Sequence, residues 1–351
     1  MSYTASQLHV NQALTDLAVR FSVDEEGYLW HKILPVKIES KRSNIIRQIS
    51  RANLLRNYDL RVGRGGVVPE VQFKLDANLT YNCQDYSVQA VISNTEAAET
   101  DDILQYEQEL IYHTWVAMQT GIEYVTLKQT LRDTSVLTQN VTLTASQLWD
   151  NPNSQASKPI SGDLIPAVTT VRVQTGHDPN VIIMHEMVWR KLQLHPETLA
   201  RGGVHPTGNA IVSIEQMERI LEVPPGTIHV TKQFYNLGLE DQAEIPTSFV
   251  GPDVIVAYVE QPGVRTYGLG STFMFQSNKM DKGYAPNVDE IEAPFLVYEF
   301  PDWGQRDVRG ATIHRIVGGL DQKILNAKAG FLIKGVVDSS RTDLYSTFLQ
   351  G

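Results

Sequence analysis

The segment that begins at His185 has the residue types found in the zinc-binding helices of proteases. In those helices two histidines four residues apart lie on one face and bind the metal, and the glutamate between them acts as general base. Here Glu186 follows His185, but Trp189 occupies the position of the second histidine, and the next histidine is His195. Two imidazoles therefore cannot share that face. We expect His185 to cap a helix or to pack in the core, and we predict no metal site.

Other patterns that signal catalysis or nucleotide binding are incomplete. The run Gly63–Gly66 lacks the third glycine of a dinucleotide-binding loop. Gly330 and Gly335 have the spacing of a phosphate-binding loop, but Val336 replaces the lysine that contacts the phosphates. Cys83 has no neighbouring histidine, so we expect a packed or loosely exposed thiol. The sequence thus predicts no catalytic residue, no cofactor and no enzymatic activity.

Length and composition limit the classes of protein that fit this chain. It has 351 residues, 42% of them hydrophobic and 20% charged, which is enough apolar material for a large buried core. A single cysteine excludes an internal disulfide and cysteine-based metal clusters. A net charge of −10 argues against a dedicated nucleic-acid binder. Neither a membrane span nor a secretory signal is evident, so we expect a soluble protein that stays inside the cell.

The charges are unevenly distributed along the chain. Residues 32–64 contain nine basic residues and two acids, whereas residues 96–109 contain six acids and no base. The two segments are either separate solvated surfaces or complementary surfaces, within one chain or between neighbouring copies. The candidate contact residues are three arginines and three acids: Arg47, Arg51, Arg56, Glu99, Asp101 and Asp102.

The first residues predict an amphipathic helix over residues 4–21. Its apolar residues recur at intervals of four, three and four, and they form one stripe consisting of Val10, Leu14, Leu17 and Phe21. Such a stripe must be buried, either on its own domain or on another subunit.

Residues 67–93 have the alternation of two β-strands. Val71, Phe73 and Leu75 would share one face of the first strand. The corresponding face of the second strand would hold Tyr86, Val88, Ala90 and Ile92. With a turn over residues 76–84, the pattern predicts a long β-hairpin that packs its apolar face on a neighbouring subunit.

A long helix is predicted over residues 94–132, where apolar residues recur at near-heptad spacing. Ser93 and Glu96 have the spacing of a capping box, and Gly121 in the interior is expected to permit close packing. Three further helices are predicted at 163–175, 185–194 and 213–221, with strands between and after them. The predicted fold class is α+β.

The order of these parts and three local stretches resemble one family. The stretches are VRVQTGHDPNVIIM at 171–184, VWRKLQLHPE at 188–197, and SIEQMERILEV at 213–223 followed by IHV at 228–230. They are similar to recurring stretches of tailed-bacteriophage major capsid proteins of the Hong Kong 97-type fold. The resemblance implies an N-terminal arm (1–35), an extended loop (36–93), a peripheral domain with a spine helix (94–177), an axial domain (178–300) and a return to the peripheral domain (301–351).

The resemblance also implies a function. The chain would form hexameric and pentameric capsomers that assemble into an icosahedral shell around packaged double-stranded DNA. Separate scaffolding, portal and decoration proteins would be its other partners, with no membrane. It would reside in the virion after assembly in the cytoplasm of a bacterial host. Two alternatives stay open: an encapsulin-like compartment that encloses protein cargo, and an unrecognised enzyme or binding protein that forms a small oligomer.

Overall fold

A computed structural model describes residues 9–10, 27–49, 61, 75–99, 103–151, 154–202, 211–238, 245–260, 267–275, 295–302 and 310–338. Its α-helices are α1 (Trp30–Ile33), α2 (Asn94–Glu99), α3 (Ile103–Glu123), α4 (Ile165–Thr175), α5 (Glu186–Leu194), α6 (Pro196–Arg201) and α7 (Ile214–Leu221). Two π-helical segments (Tyr124–Leu131 and Pro159–Leu164) and one 3₁₀ turn (Ala327–Ala329) complete the helical elements of these ranges. We call Ile103–Leu131, which is α3 with its π-helical continuation, the long helix.

Strands and helices alternate irregularly along the chain, which confirms the α+β class. The strands are β1 (His9–Val10), β2 (Val36–Glu39), β3 (Ser43–Ile49), β4 (Leu75–Asn82), β5 (Gln84–Ser93), β6 (Asn140–Thr142), β7 (Val181–His185), β8 (Ile228–Thr231), β9 (Phe234–Asn236), β10 (Pro246–Ser248), β11 (Val254–Ala257), β12 (Gly270–Phe275), β13 (Phe295–Asp302), β14 (Ala311–Ile324) and β15 (Gly330–Lys334).

The central sheet is built around the long strand β14. Strand β5 pairs along one edge of β14, and β13 and β12 follow one another along the other edge. Strand β1 pairs with β13, and β2 pairs in parallel with β12. The long helix packs on this sheet through Ile111, Trp115, Met118 and Ile122, with Trp115 edge-to-face on Phe295 at 4.8 Å between ring centroids. The apolar residues whose spacing predicted this helix therefore form its core-facing side.

The second sheet has the order β6–β15–β11–β7–β8. Its strands β7 and β11 are buried along their whole length, as their unbroken apolar sequences require. Helices α4, α5 and α7 cover one side, with Val188 and Met217 in that cluster. The π-helical end of the long helix covers the other side through Leu127 and Leu131. The long helix thus joins the cores of both sheets.

Several predicted elements are confirmed almost to the residue. Helix α4 ends at Gly176, which has the left-handed backbone expected of a helix-terminating glycine. Helix α7 begins with a complete capping box formed by Ser213 and Gln216. These elements were predictable because both signals lie within a few residues of the helix end.

Two predictions at the N-terminal half are wrong. His9 and Val10 are not helical: they form a short strand that pairs antiparallel with Glu299 and Tyr298 of β13. The helix predicted over residues 4–21 is therefore wrong at His9 and Val10, and the rest of that range, with Leu14, Leu17 and Phe21, lies outside the described residues. Gly121 does not mediate close packing, because a Cβ added there would meet nothing within 4 Å.

Candidate assembly surfaces

Strands β3 and β4 pair with each other and form a two-stranded ribbon, which we call the loop ribbon. Ser43 pairs with Asn82 and Ile49 with Leu75, with an irregularity between Ile46 and Gln48. The predicted hairpin, in which 71–75 would pair with 86–92 across a turn at 76–84, is therefore wrong. Residues 75–82 are strand, and the chain passes into β5 with only Cys83 between the two strands.

The second half of the predicted hairpin belongs to the core of its own subunit. Strand β5 pairs with β14 from Ser93 opposite Ala311 to Gln84 opposite Leu320. Ile92 is buried, and Tyr86 and Val88 pack on the core cluster of the long helix. The predicted apolar face is real, but the long helix covers it, so it is not available to a neighbouring subunit.

A small apolar cluster attaches the loop ribbon to the central sheet. Tyr81 stacks on Phe273 of β12 at 4.6 Å between centroids, with the rings only 2° from parallel. Cys83 is buried beside them, and Ile46 and Phe275 pack on the group with Leu325. We call this group the loop-base cluster. It is separate from the three large core clusters, so the ribbon depends on few contacts.

Polar contacts fix the same junction. Arg42 forms an ion pair with Asp85, and its Nε donates to the carbonyl oxygen of Cys83 at 3.2 Å. The backbone N–H of Asn82 donates to Asp321 Oδ2 on β14 at 2.7 Å. These contacts connect both sides of the loop ribbon to β5 and β14. They therefore determine where the ribbon leaves the sheet.

The thiol of Cys83 is part of this packing and is not reactive. It is 2% exposed, and its Sγ lies 3.5 Å from the carbonyl oxygen of Phe273. Burial, with Asp321 as the next contribution, raises the pKa of the thiol to about 11, so the thiolate is scarce at neutral pH. Of the two predicted alternatives, the packed thiol is confirmed.

Apolar side chains are exposed where the loop ribbon leaves the sheet. Ile38 on β2 is 54% exposed, and Ile45 on β3 is 51% exposed. Within the described residues β2 pairs only with β12, so its other edge is open to a further strand. Sequence reasoning did not single out these two isoleucines. Their strands are short, and the signal that marks them is an apolar residue inside a basic segment.

The predicted contact residues of the loop lie partly in this ribbon. Arg47 is in β3, and Leu75 is the first residue of β4, paired with Ile49. Arg51, Arg56, Val71 and Phe73 lie outside the described residues. Of the described residues in the same basic segment, Lys32, Lys41 and Arg61 are exposed.

The acidic segment begins at the other end of β5. Glu96 and Glu99 lie on α2 and are exposed, and Glu96 Oε2 accepts the backbone N–H of Ser93 at 3.4 Å. Asp101 and Asp102 lie outside the described residues. Because β5 is a strand of ten residues from Gln84 to Ser93, roughly 30 Å separate the acidic helix from the base of the loop ribbon.

The first residues that the structure describes, His9 and Val10, contact the edge of the central sheet. Val10 pairs with Tyr298, and His9 pairs with Glu299. In the next described segment, which begins at residue 27, five side chains are buried against the long helix and β12: Tyr28, Leu29, Trp30, Ile33 and Leu34. We call Tyr28–Leu34 the arm segment. The chain between Val10 and the arm segment contains the other three residues of the predicted stripe.

His185 and His195, the two histidines of the segment that begins like a zinc-binding helix, cap helices. His185 Nδ1 accepts the backbone N–H of Met187 at the start of α5, and His195 Nδ1 accepts that of Glu197 at the start of α6. Both side chains are buried, and the capping role predicted for His185 is confirmed. Burial lowers the pKa of His185 to about 4, with Glu186 opposing the shift, so the imidazole is neutral at pH 7.

Among the described residues there is no group of three potential metal ligands. None of the described helices is both long enough and apolar enough to cross a lipid bilayer.

Comparison with known families finds no matching family, and no curated protein matches the sequence. Solved structures, in contrast, match over nearly the whole chain. A phage-related protein from Bordetella bronchiseptica RB50 has a TM-score of 0.66 at 18% identity, with 93% of this chain and 97% of that protein covered. A protein assigned as the capsid protein of an Escherichia coli CFT073 prophage has a TM-score of 0.51 at 11% identity, with 93% and 99% covered.

A structure from Mycobacterium phage Adephagia has a TM-score of 0.51 at 9% identity, with 89% of this chain and 91% of that one covered. The chain has the fold of phage capsid proteins. This capsid fold confirms the fold class and the resemblance inferred from residues 171–230. At these identities the likeness concerns the fold, and the surfaces described above are the features from which function must be argued.

Proposed function

We propose that this chain is a shell-forming structural protein, the major capsid protein of a tailed bacteriophage with the Hong Kong 97-type fold. It would self-assemble through hexameric and pentameric capsomers into an icosahedral shell around the double-stranded DNA genome. The observation that carries the proposal is the likeness to phage structures along nearly the full length of the chain and of its matches.

The shape of the subunit supports an assembly role. The loop ribbon is joined to the sheet by the small loop-base cluster, and two isoleucines are exposed at this junction: Ile45 on the ribbon and Ile38 on the neighbouring strand β2. A two-stranded ribbon is marginal in water unless something covers it. A neighbouring copy in a shell would supply that cover. We propose the stretch 40–82 as the extended loop, within the wider 36–93 inferred from sequence.

The charged segments fit contacts between copies better than contacts within one copy. The acidic helix and the base of the basic loop lie at opposite ends of β5. We propose that Arg47, Arg51 and Arg56 of one subunit face Glu99, Asp101 and Asp102 of the next. An exposed ion pair stabilises by only about 0–1 kcal/mol, but the same contact repeats in every subunit of a shell.

The remaining proposals follow from the same assignment. The arm (1–35) would contribute Val10, Leu14, Leu17 and Phe21 to contacts between subunits, together with Val71, Phe73 and Leu75 of the loop. Residues 94–177 and 301–351 would form the peripheral domain and 178–300 the axial domain. Separate scaffolding, portal and decoration proteins would complete the particle, which would assemble in the host cytoplasm and have no enzymatic role.

Charge reversal tests the proposed function. The triple variant in which Arg47, Arg51 and Arg56 become Glu should retain a folded subunit but form fewer large particles, as measured by light scattering and electron microscopy. Reversal of Glu99, Asp101 and Asp102 to Lys in the same chain should restore part of the yield. The matched control reverses Lys158, Lys232 and Lys328, three exposed cations outside the proposed contact.

Three results would contradict parts of the proposal. Equal assembly of the triple variant and the parent at low and high salt would remove the electrostatic contact. A wild-type chain that remains a small discrete oligomer under all assembly conditions would favour an enzyme or binding protein. Particles that enclose protein and exclude DNA, from a gene without neighbouring terminase and portal genes, would indicate an encapsulin-like compartment.

A further inference from the structure

A buried carboxylate on the long helix holds the arm segment. Glu123 is fully buried, and its Oε2 accepts the backbone N–H of Trp30 at 2.7 Å. Both of its oxygens lie within 3.1–3.2 Å of the backbone nitrogen of Leu29. These two N–H groups begin the short helix α1, so Glu123 satisfies donors that the helix itself leaves unpaired.

Two further contacts surround this one. Gln119, one helical turn before Glu123, accepts the indole N–H of Trp30 at 2.7 Å. The hydroxyl groups of Tyr28 and Thr120 lie 3.0 Å apart. Gln119, Thr120 and Glu123 on one face of the long helix thus contact three consecutive residues of the arm segment, 28–30. The α-helical part ends at Glu123, and the π-helical part begins at the next residue.

The carboxylate is buried without a counterion. The ionisable groups on the elements around it are Tyr28, His31 and Lys32 in the arm segment, Lys128 on the long helix, and His229 on β8. None of them forms an ion pair with Glu123, and among the described residues its polar partners are the two backbone N–H groups. A buried charge that has only partial compensation is costly, so the site favours the neutral acid.

We propose that Glu123 is a proton-linked latch: the arm segment docks on the long helix more tightly when Glu123 is protonated. Burial raises the pKa of Glu123 from 4.5 to about 7, although the N–H groups of Leu29 and Trp30 oppose the shift. When the arm segment opens, water reaches the carboxylate and its pKa returns toward the ordinary value. The docked form therefore binds more protons between pH 4.5 and 7.

The sign of the pH dependence follows from this linkage. Docking is strongest below about pH 4.5 and weakens as the pH rises through about 7, because the ionised carboxylate is then buried. The neighbouring histidines act in the opposite sense. Burial lowers the pKa of His31 and of His229, so their protonation in acid disfavours the docked form. The direction of the profile thus separates Glu123 from both histidines.

Hydrogen exchange of the unassembled full-length chain tests the latch. Protection factors of the Leu29 and Trp30 amides, corrected for the intrinsic exchange rate at each pH, report how often the arm segment opens. A docked pKa of about 7 and an open value of 4.5 predict roughly 70-fold more opening at pH 8 than at pH 5. Glu123→Gln should abolish this dependence, and the control Glu109→Gln, at an exposed position of the same helix, should retain it.

A wild-type profile that is flat or rises in the opposite direction would overturn the latch. So would a Glu123→Gln variant that keeps the wild-type pH dependence. If that variant does not fold, the wild-type profile still decides, because the latch requires opening at Leu29 and Trp30 to increase with pH, whereas the two histidines would make it decrease. The measurement uses no shell, so its failure would leave the proposed function untouched, and failure to form shells would leave the latch untouched.

Discussion

Replacing Tyr81 should detach the loop ribbon while the rest of the subunit stays folded. Tyr81 is 3% exposed, stacks face to face on Phe273, and donates its hydroxyl to the carbonyl oxygen of Lys41 at 3.2 Å. It is therefore the largest side chain of the loop-base cluster that lies on the ribbon itself. Among the described residues the cluster is small and distinct from the three large cores.

The expected magnitudes come from these contacts. Removing a buried aromatic ring in Tyr81→Ala costs about 3–5 kcal/mol of unfolding free energy. Tyr81→Phe keeps the ring stack and removes only the hydrogen bond to Lys41, which costs about 0.5–1.5 kcal/mol. The control Tyr112→Ala, at a position that is 41% exposed on α3, should cost less than about 1 kcal/mol.

Hydrogen exchange followed by mass spectrometry gives the location of the loss, and urea unfolding gives its size. Peptides from β3 and β4 should lose protection in Tyr81→Ala, and peptides from α3 and β14 should keep it. A loss of protection spread evenly over the subunit would contradict local detachment, because the loop ribbon would then belong to the main core. A cost equal to that of Tyr81→Phe would show that the ring stack does not hold the ribbon.

Three further predictions concern the subunit. Because the pKa of His185 is lowered to about 4 in the folded state, the free energy of unfolding should fall by about 2–3 kcal/mol as the pH drops from 6.5 to 4. His185→Asn, which keeps a helix cap, should remove this loss. Urea unfolding at both pH values measures it, and an unchanged acid sensitivity would contradict it. Arg132→Ala should lower the free energy of unfolding by about 3–5 kcal/mol, because Asp253 stays buried without the partner that lies at 2.6 Å. The control Arg190→Ala, which removes an exposed ion pair, should lower it by less than about 0.5 kcal/mol. Similar losses in urea unfolding of the two variants would contradict this prediction. Gly121→Ala should raise the melting temperature, gaining up to about 1 kcal/mol, since the new methyl group meets open space; a lower melting temperature would refute this.

Local signals accounted for much of the fold. The 3–4 spacing of Ile111, Trp115, Met118 and Ile122 identified the core-facing side of the long helix, and all four are buried. The C-terminal end of α4 and the start of α7 lie close to their predicted positions, because the capping that Gly176 and Ser213 provide depends on neighbours a few residues away. Uniformly apolar strands were recognisable because burial on both faces leaves no polar alternation.

Strand partners were not predictable, because alternation identifies a strand without naming its neighbour. Strand β5 has the pattern of a hairpin arm, yet its partner is β14, with Gln89 bonded to Arg315 across 226 residues of sequence. The pairing of His9 with Glu299 similarly joins distant parts of the chain. The loop-base cluster therefore appeared only in three dimensions.

The role of Glu123 was hidden for a related reason. A single glutamate in a helix with many acids is unremarkable in the sequence, and its burial depends on the arm segment 94 residues earlier. The cost of burying it is partly offset by backbone N–H groups, which leave no side-chain signature. The one sequence signal that could have identified it is a glutamate inside an apolar stripe, one helical turn after Gln119.

Single-particle cryo-electron microscopy of the purified protein shows whether copies of this chain close into a shell. We expect closed icosahedral particles in which the loop ribbon of each subunit lies on a neighbour, so that the neighbour covers Ile45 of that ribbon. We also expect Arg47 to lie near Glu99 of an adjacent subunit. Discrete oligomers of a few subunits, or shells whose loop ribbons point freely into solvent, would contradict these expectations.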